Sequence, residues 1–196
     1  DSATLRENVV SLAGNIGYVP RSRTASTAQI SFNVTTTVDT PTLTLKAGIV
    51  CVGSANDSTY TFAILEDTTA NTVGGNLDTI GNPTTFTASF NNISVFQGIF
   101  LTKQFLYDGS LDQRFVLNNS FIDTSTLRVY VGKSQGEKGN QYSVSENILN
   151  VDENSRIFFL NEIQDEKYEL RFGDGLIGKK LGDNGDGRFI TANYIV

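Results

Sequence analysis

Residues 168–196 read YELRFGDGLIGKKLGDNGDGRFITANYIV, a strand pattern followed by glycine-rich turns. Tyr168, Leu170 and Phe172 alternate with polar residues, which is the period of a half-buried β-strand. Glycine permits positive φ and aspartate accepts hydrogen bonds from nearby backbone amides. The stretch therefore predicts two successive hairpin or bulge turns that are structural, built on Phe172, Gly173, Asp174, Gly175, Gly178, Gly182 and Gly187.

The same alternation covers most of the chain from Ala25 onward. It is clearest in Ile30-Phe32-Val34, Leu43-Leu45-Ala47-Ile49, Phe86-Ala88-Phe90 and Leu127-Val129-Val131. Threonine is abundant at the polar positions, where a β-branched side chain suits an extended backbone. Turn-forming clusters recur about every ten residues, a spacing typical of sandwiches and barrels. We therefore predict a mainly β protein made of antiparallel β-sandwich or barrel-like modules.

The organisation of these strands into domains is only weakly marked. We assign residues 1–22 to an N-terminal helix and connector, 23–108 to a first β module and 109–196 to a second module containing the FGDG hairpin. The boundary is placed at the turn signal Asp108-Gly109. One large domain and two closely packed modules both fit this length.

One segment has the period of a helix. Leu5, Val9, Leu12 and Ile16 fall on one stripe, and Pro20 prevents the helix from continuing. An isolated helix this short is marginal in water, so the stripe requires a cover. The strands after Ala25 form a core pattern of their own, so we predict that the stripe is a self-association surface.

Composition limits the functions that the chain can perform. Its 196 residues contain no His, Met or Trp, the net charge is −6, and Cys51 is the single cysteine. The acidic balance argues against nucleic acid as a partner, and no apolar run reaches the length that crosses a bilayer, so no membrane is expected. One cysteine excludes an internal disulfide. Since residue 1 is not Met, we expect a fragment of a longer protein.

The aspartates of the terminal stretch do not form an EF-type calcium loop. Counting from Asp183 places Gly185 and Gly187 where oxygen ligands are required. A looser cation site on Asp174, Asp183 and Asp186 stays open, although turn chemistry accounts for the pattern more simply.

Other chemical readings are also weak. A phosphate cradle fails because Asp174 stands where the phosphate would lie. Paired carboxylates for glycoside hydrolysis are available in principle, but a charged, solvated turn is the simpler interpretation of Glu162, Asp165, Glu166 and Glu169. We predict no catalytic residue, no metal and no cofactor, so the chain is not expected to be an enzyme.

Three segments resemble a known group of proteins. Phe172-Gly173-Asp174-Gly175, followed by Gly178, Gly182, Gly187, Ile190 and Tyr194, resembles the pattern of baseplate J-like proteins of contractile phage tails. Residues 5–8 with 18–22, and residues 121–127, resemble the T-even-type branch, the baseplate wedge proteins of the gene product six type. The three blocks extend over nearly the whole chain and correspond to the later part of such a protein.

The resemblance implies a structural virion protein. Wedge proteins of this type associate with other wedge subunits, and copies join neighbouring wedges into the baseplate ring. The resemblance thus implies a homo-oligomer in the tail baseplate, assembled in the host cytoplasm, with itself and other wedge proteins as partners. A β-sandwich module that binds glycans or a cell surface is the alternative.

The helical stripe yields a first test. We expect Val9→Asp with Leu12→Asp to weaken dimerisation while the β fold stays intact, because two buried charges would oppose an apolar contact. Sedimentation measures the change. A wild-type chain that stays monomeric at high concentration, or a double variant that unfolds, would show that the stripe packs on its own chain.

Overall fold

A computed structural model describes residues 8, 9, 12, 22–110, 112–146, 149, 151–182 and 184–196. In this part of the chain the protein is mainly β, as the alternation predicts. It divides into two compact units: Ala25–Phe100, and Leu101–Val196 together with the described residues of Asp1–Thr24. None of the helices in the described ranges is long and apolar enough to cross a membrane.

The unit Ala25–Phe100 is built around one long strand. Its strands are β1 (Thr27–Thr36), β2 (Thr42–Leu45), β3 (Gly48–Ala55), β4 (Ser58–Ile64), β5 (Thr68–Gly74) and β6 (Phe86–Gln97). They follow the order β2-β5-β6-β4-β3, and β1 pairs with β6. All pairs in this sheet are antiparallel. Strand β6 is the common partner of β1, β4 and β5, so the sheet depends on its length.

The other sheet has seven strands in the order β7-β13-β9-β10-β11-β12-β8. They are β7 (Phe100–Leu106), β8 (Phe115–Leu117), β9 (Asp123–Gly132), β10 (Asn140–Val144), β11 (Ile157–Ile163), β12 (Lys167–Phe172) and β13 (Phe189–Ile195). Its pairs with a described register are antiparallel except β10 with β11, which is parallel. The antiparallel prediction therefore holds with this one exception.

The main hydrophobic core belongs to this seven-stranded unit. Fully buried large side chains come to it from six strands: Leu117, Val129, Val131, Tyr142, Phe158, Leu170, Ile190 and Tyr194. Phe172, the first residue of the FGDG motif, packs edge-on against Phe115 and Tyr142, with ring centroids 5.5 and 5.7 Å apart. Edge-to-face aromatic pairs add stabilisation beyond the buried area. The motif is therefore tied to the core from its first residue.

The division between the units falls at Phe100/Leu101, not at the predicted Asp108-Gly109 turn. Strand β7 lies beside β13, and the amide of Tyr107 donates to the carbonyl of Arg188 at 2.8 Å. The predicted and observed boundaries differ because the turn signal at Asp108-Gly109 marks only the end of β7. The unit to which β7 belongs is determined by its pairing with β13.

The predicted N-terminal helix is not supported. Leu5 and Ile16, with most of that segment, lie outside the described residues. Val9 and Leu12 are described, in local helical geometry, and their side chains are 47% and 61% exposed. Isolated positions do not establish a helix, so self-association through this stripe stays a prediction.

Thr126 links β9 to β13 through its side chain. Its hydroxyl is fully buried, donates to the carbonyl of Asp123 at 2.6 Å and accepts from the amide of Ile195 at 3.1 Å. The register of β13 shifts between Asn193 and Ile195, and at this irregularity the amide of Ile195 donates to the hydroxyl of Thr126. The threonine thus satisfies the backbone at an irregularity of the sheet.

We expect Thr126→Val to lower the free energy of unfolding by about 1–3 kcal/mol, because two buried backbone groups lose their partner. Thr126→Ser keeps the hydroxyl and serves as the matched control. Urea denaturation compares the two variants. A valine variant as stable as the wild type would show that the hydroxyl contributes nothing at this position.

Candidate functional site

The turn after β12 is organised by Asp174. Its Oδ1 accepts hydrogen bonds from the amides of Leu176 at 2.8 Å and Ile177 at 2.9 Å. The amide of Gly175 donates to the carbonyl of Gly178 at 3.1 Å, which closes the turn. These amides, that of Ile177 foremost, hold the pKa of Asp174 below its ordinary value. Asp174 therefore occupies the position of a turn acceptor.

Glycine is required at this turn for two different reasons. Gly175 has φ of +95° and Gly178 has φ of +80°, a region that other residues adopt only with strain. Gly173 has no positive φ. A Cβ atom there would instead overlap the backbone of Gly178, which passes directly beside it. The constraint on Gly173 is close approach of two backbones, which the local sequence does not reveal.

The second turn is closed by glycines as well. The amide of Gly182 donates to the carbonyl of Gly187 at 3.0 Å, and the φ angles of the two residues are +125° and +126°. A Cβ atom on Gly187 would overlap the backbone of Gly132, at the end of β9. Asp183 of this turn lies outside the described residues. The turn is therefore packed directly onto the neighbouring strand.

Asp186 is a buried carboxylate shared by two cations. It accepts from Arg156 in a bidentate contact, by Nε and by Nη2 at 3.2 Å, and from Nζ of Lys179 at 2.9 Å. Its side chain is only 7% exposed. The bond from Arg156, followed by that from Lys179, lowers the pKa of Asp186. Arg156 precedes β11 and Lys179 lies between the turns, so one carboxylate connects three segments.

Tyr142 on β10 lies close to this ion pair. Its hydroxyl is buried and, among the described residues, has no hydrogen-bond partner. Burial, and then the negative charge of Asp186, raises the pKa of Tyr142. The phenol is therefore neutral at physiological pH.

These contacts bear directly on the looser cation site. Asp174 uses an oxygen for its turn, and Asp186 is already neutralised by Arg156 and Lys179. The described ranges contain no group of three residues placed to hold a metal ion. Asp174 and Asp186 thus have partners within the chain, and Asp183 lies outside the described residues.

An open groove of about 630 Å³ lies beside the first turn. Its polar lining includes Arg114, Arg171 and Glu169, and its apolar lining includes Phe115 and Phe172. Glu169 is 4% exposed, and Arg171 lies 3.5 Å from its Oε2. A hydrogen bond from Arg114 is the main reason that the pKa of Glu169 is lowered. Its carboxylate is thus held ionised and paired.

The remaining acidic candidates also have partners. Asp165 lies 3.4 Å from Lys167, and Glu166 lies 3.8 Å from Arg23. Glu162 lies on β11, where it pairs across the sheet with Tyr168.

Sequence reasoning did not identify the basic partners Arg156, Lys179 and Arg114. A basic residue in a sequence carries no signal of an acidic partner that is distant along the chain.

Residues 121–127 contact described residues from near both ends of the chain. Ser22 Oγ accepts from the amide of Thr124 at 3.0 Å and from its hydroxyl at 2.8 Å. Thr126 accepts from Ile195 at 3.1 Å. The guanidinium of Arg23 lies 3.9 Å from the ring centroid of Phe121. Residues 121–127 therefore contact Ser22, Arg23 and Ile195, whereas residues 5–7 and 18–21 lie outside the described residues.

The described part of the chain is thus a mainly β protein with structural turns at its carboxyl end. No protein-family model matches the chain. It is 24% identical over 197 residues to the baseplate wedge protein gp6 of Enterobacteria phage T4. The match covers 99% of this chain and 27% of that protein. The chain thus spans about a quarter of the length of the curated relative that it matches.

Substitution of the glycines tests the first turn. We expect Gly173→Ala and Gly175→Ala each to cost on the order of 1 kcal/mol or more, the first through a clash and the second through positive φ. Gly53→Ala is the control, because its nearest contact, Phe62 Cε2 at 3.4 Å, is an ordinary one. Unchanged thermal midpoints in both turn variants would contradict the assignment.

The pH dependence of unfolding tests the ion pair at Asp186. A carboxylate with a lowered pKa stabilises the folded state above its unfolded value of about 3.9, and this contribution disappears as the pH falls through the folded value. We expect Asp186→Asn to be less stable than the wild type at neutral pH, and the difference to shrink as the pH falls below about 4.

Glu169 also becomes protonated as the pH falls. The quantity to follow is therefore the difference in unfolding free energy between the wild type and Asp186→Asn. Chemical denaturation at several pH values provides it. A difference that does not change with pH would show that the charge of Asp186 does not stabilise the fold.

Proposed function

We propose that this chain is part of a structural virion protein, a subunit of a contractile-tail baseplate wedge. In this role it joins wedges into the baseplate ring through contacts with other copies of itself and with other wedge proteins. The observation that carries the proposal is the similarity to the T4 wedge protein along 99% of the chain. On this proposal the chain works by binding and has no catalytic activity of its own.

The local structure suits a part that must keep its shape. Loops in both units are closed by aspartate side chains that accept backbone amides: Asp174 binds two in its turn, and Asp78 accepts from Ile80 at 2.9 Å and Asn82 at 2.8 Å. Asp152 accepts from Asn154 at 3.0 Å. Such bonds fix the conformation of a turn locally. Rigid connections between strands are what a ring of repeated subunits requires.

The same similarity supports a proposal for where this chain is located. Because the T4 protein is a baseplate wedge component by name, we propose the virion tail baseplate as the site of this chain, after assembly in the host cytoplasm. The chain corresponds to 27% of that protein, so any role of the remaining length lies outside it.

Electron microscopy of purified virions tests the proposal. Antibodies raised against the chain are expected to label the baseplate, with an antibody to a head protein as the control for position. Virions that lack the chain by mass spectrometry would overturn the assignment. Selective binding on a glycan array, without virion labelling, would support the glycan-binding alternative.

A further inference from the structure

The groove beside the first turn has a buried carboxylate, Glu169, in its lining. Arg114 donates from its Nε to Oε1 of this carboxylate, and Nε of Arg171 lies 3.5 Å from Oε2. Two guanidinium groups thus share one negative charge, which leaves one positive charge uncompensated. Breaking a buried ion pair is costly, because the remaining charge loses its partner. Glu169 therefore holds both arginines in place at the groove.

Both arginines keep hydrogen-bond donors for a ligand. A guanidinium carries N–H groups on Nη1 and Nη2 as well as on Nε. Arg114 and Arg171 contact Glu169 through Nε, and within the described residues neither side chain makes a further hydrogen bond. Their side chains are 61% and 66% exposed. Such a fork of donors matches the two oxygens of a carboxylate, so each arginine can bind one.

The other charged residues of the groove compensate one another. Lys180 forms a parallel bridge with Gly173, the neighbour of Asp174 in the chain. Asp174 also accepts the two turn amides through Oδ1. Asp112 is exposed, so water and salt screen its charge. The positive charge on the arginine pair is therefore the main attraction that the groove offers to a charged ligand.

The groove also has an apolar part of fixed shape. Phe172 is half-buried in its lining and packs edge-on against Phe115, with 5.5 Å between the ring centroids. Gln113, on the same lining, accepts from the amide of Asp108 at 2.9 Å and donates to the carbonyl of Leu106 at 2.7 Å. The volume of about 630 Å³ falls within the ~300–1,000 Å³ of ligand clefts. A lining that is fixed before binding loses little entropy when a ligand enters.

We propose that this groove binds an acidic peptide segment of a partner protein: a carboxylate side chain meets Arg114 and Arg171, and a neighbouring apolar side chain contacts Phe172. Nucleic acid is disfavoured, because the net charge of −6 repels a polyanion. A neutral glycan would leave the guanidinium charge unused, and Phe115 is too buried to present a ring face to a sugar. The inference deepens the proposed function, on which it rests for the partner being another protein of the same assembly.

Titration of the full chain with short peptides provides the test. The probe is a blocked tetrapeptide, Gly-Glu-Leu-Gly, which presents one carboxylate beside one apolar side chain. The control peptide has glutamine in place of glutamate. In amide NMR spectra we expect the glutamate peptide to shift the signals of Phe115 and Phe172 at millimolar concentration. The glutamine peptide should bind about tenfold more weakly, because it loses the charge-assisted bonds.

Substitution of Arg171 tests the arginine pair. Arg171→Gln should weaken the glutamate peptide about tenfold, and it leaves Glu169 paired with Arg114, so the fold is retained. Arg171→Lys keeps the charge without the fork and should restore only part of the affinity. Arg23→Gln is the matched control: Arg23 is 64% exposed beside Glu166, away from the groove lining, and this variant should bind like the wild type. Circular dichroism confirms that each variant is folded.

The contrary outcomes are distinct. Equal binding of the two peptides, unchanged binding in Arg171→Gln, or no shift at millimolar peptide overturns the inference. Inorganic phosphate or sialyllactose that shifts the same signals, when the glutamate peptide does not, overturns the peptide assignment in favour of a phosphate or an acidic glycan. The virion labelling that tests the proposed function is independent of these results. Labelled baseplates together with failed peptide binding would refute this inference alone.

Discussion

The buried carboxylate of Asp186 joins parts of the chain that are far apart in sequence. Arg156 approaches it from the start of β11, Lys179 from between the two glycine turns, and Tyr142 lies near it on β10. Desolvating a carboxylate is costly unless its partners are close and well placed. Lys179 lies between the two turns and Asp186 lies in the second turn. The two turns must therefore hold a fixed conformation for Lys179 and Arg156 to reach the carboxylate together. The glycines allow that arrangement, because a side chain at Gly187 would collide with β9.

Much of the fold could be predicted from the sequence because period-two alternation is a local property. The strands around Ile30, Phe90, Val129 and Leu170 lie where their patterns indicate. The parallel pairing of β10 with β11 could not be predicted, since the partner of a strand depends on contacts across the sheet. The predicted boundary between the units differs from the observed one for the same reason, because a turn signal marks the end of β7 but does not identify its neighbour β13.

At the candidate site, the sequence predicted residue types better than their roles. Asp174 lies in a turn, in keeping with the spacing of its glycines. Asp186 has the same sequence context and yet is buried against Arg156, thirty residues away. Gly173 required glycine because another backbone passes beside it, not because of its own φ. Both differences come from distant residues that a local pattern does not contain.

The unit Ala25–Phe100 interrupts the other unit in the order of the chain. During synthesis, all six strands of its sheet emerge from the ribosome consecutively, so this sheet can form while translation continues. The seven-stranded sheet differs, because β13 lies between β7 and β9 and is made after both. The edges of β7 and β9 stay open until β13 arrives, and open edges attract wrong partners. Chaperone demand during biosynthesis should therefore fall mainly on the second sheet.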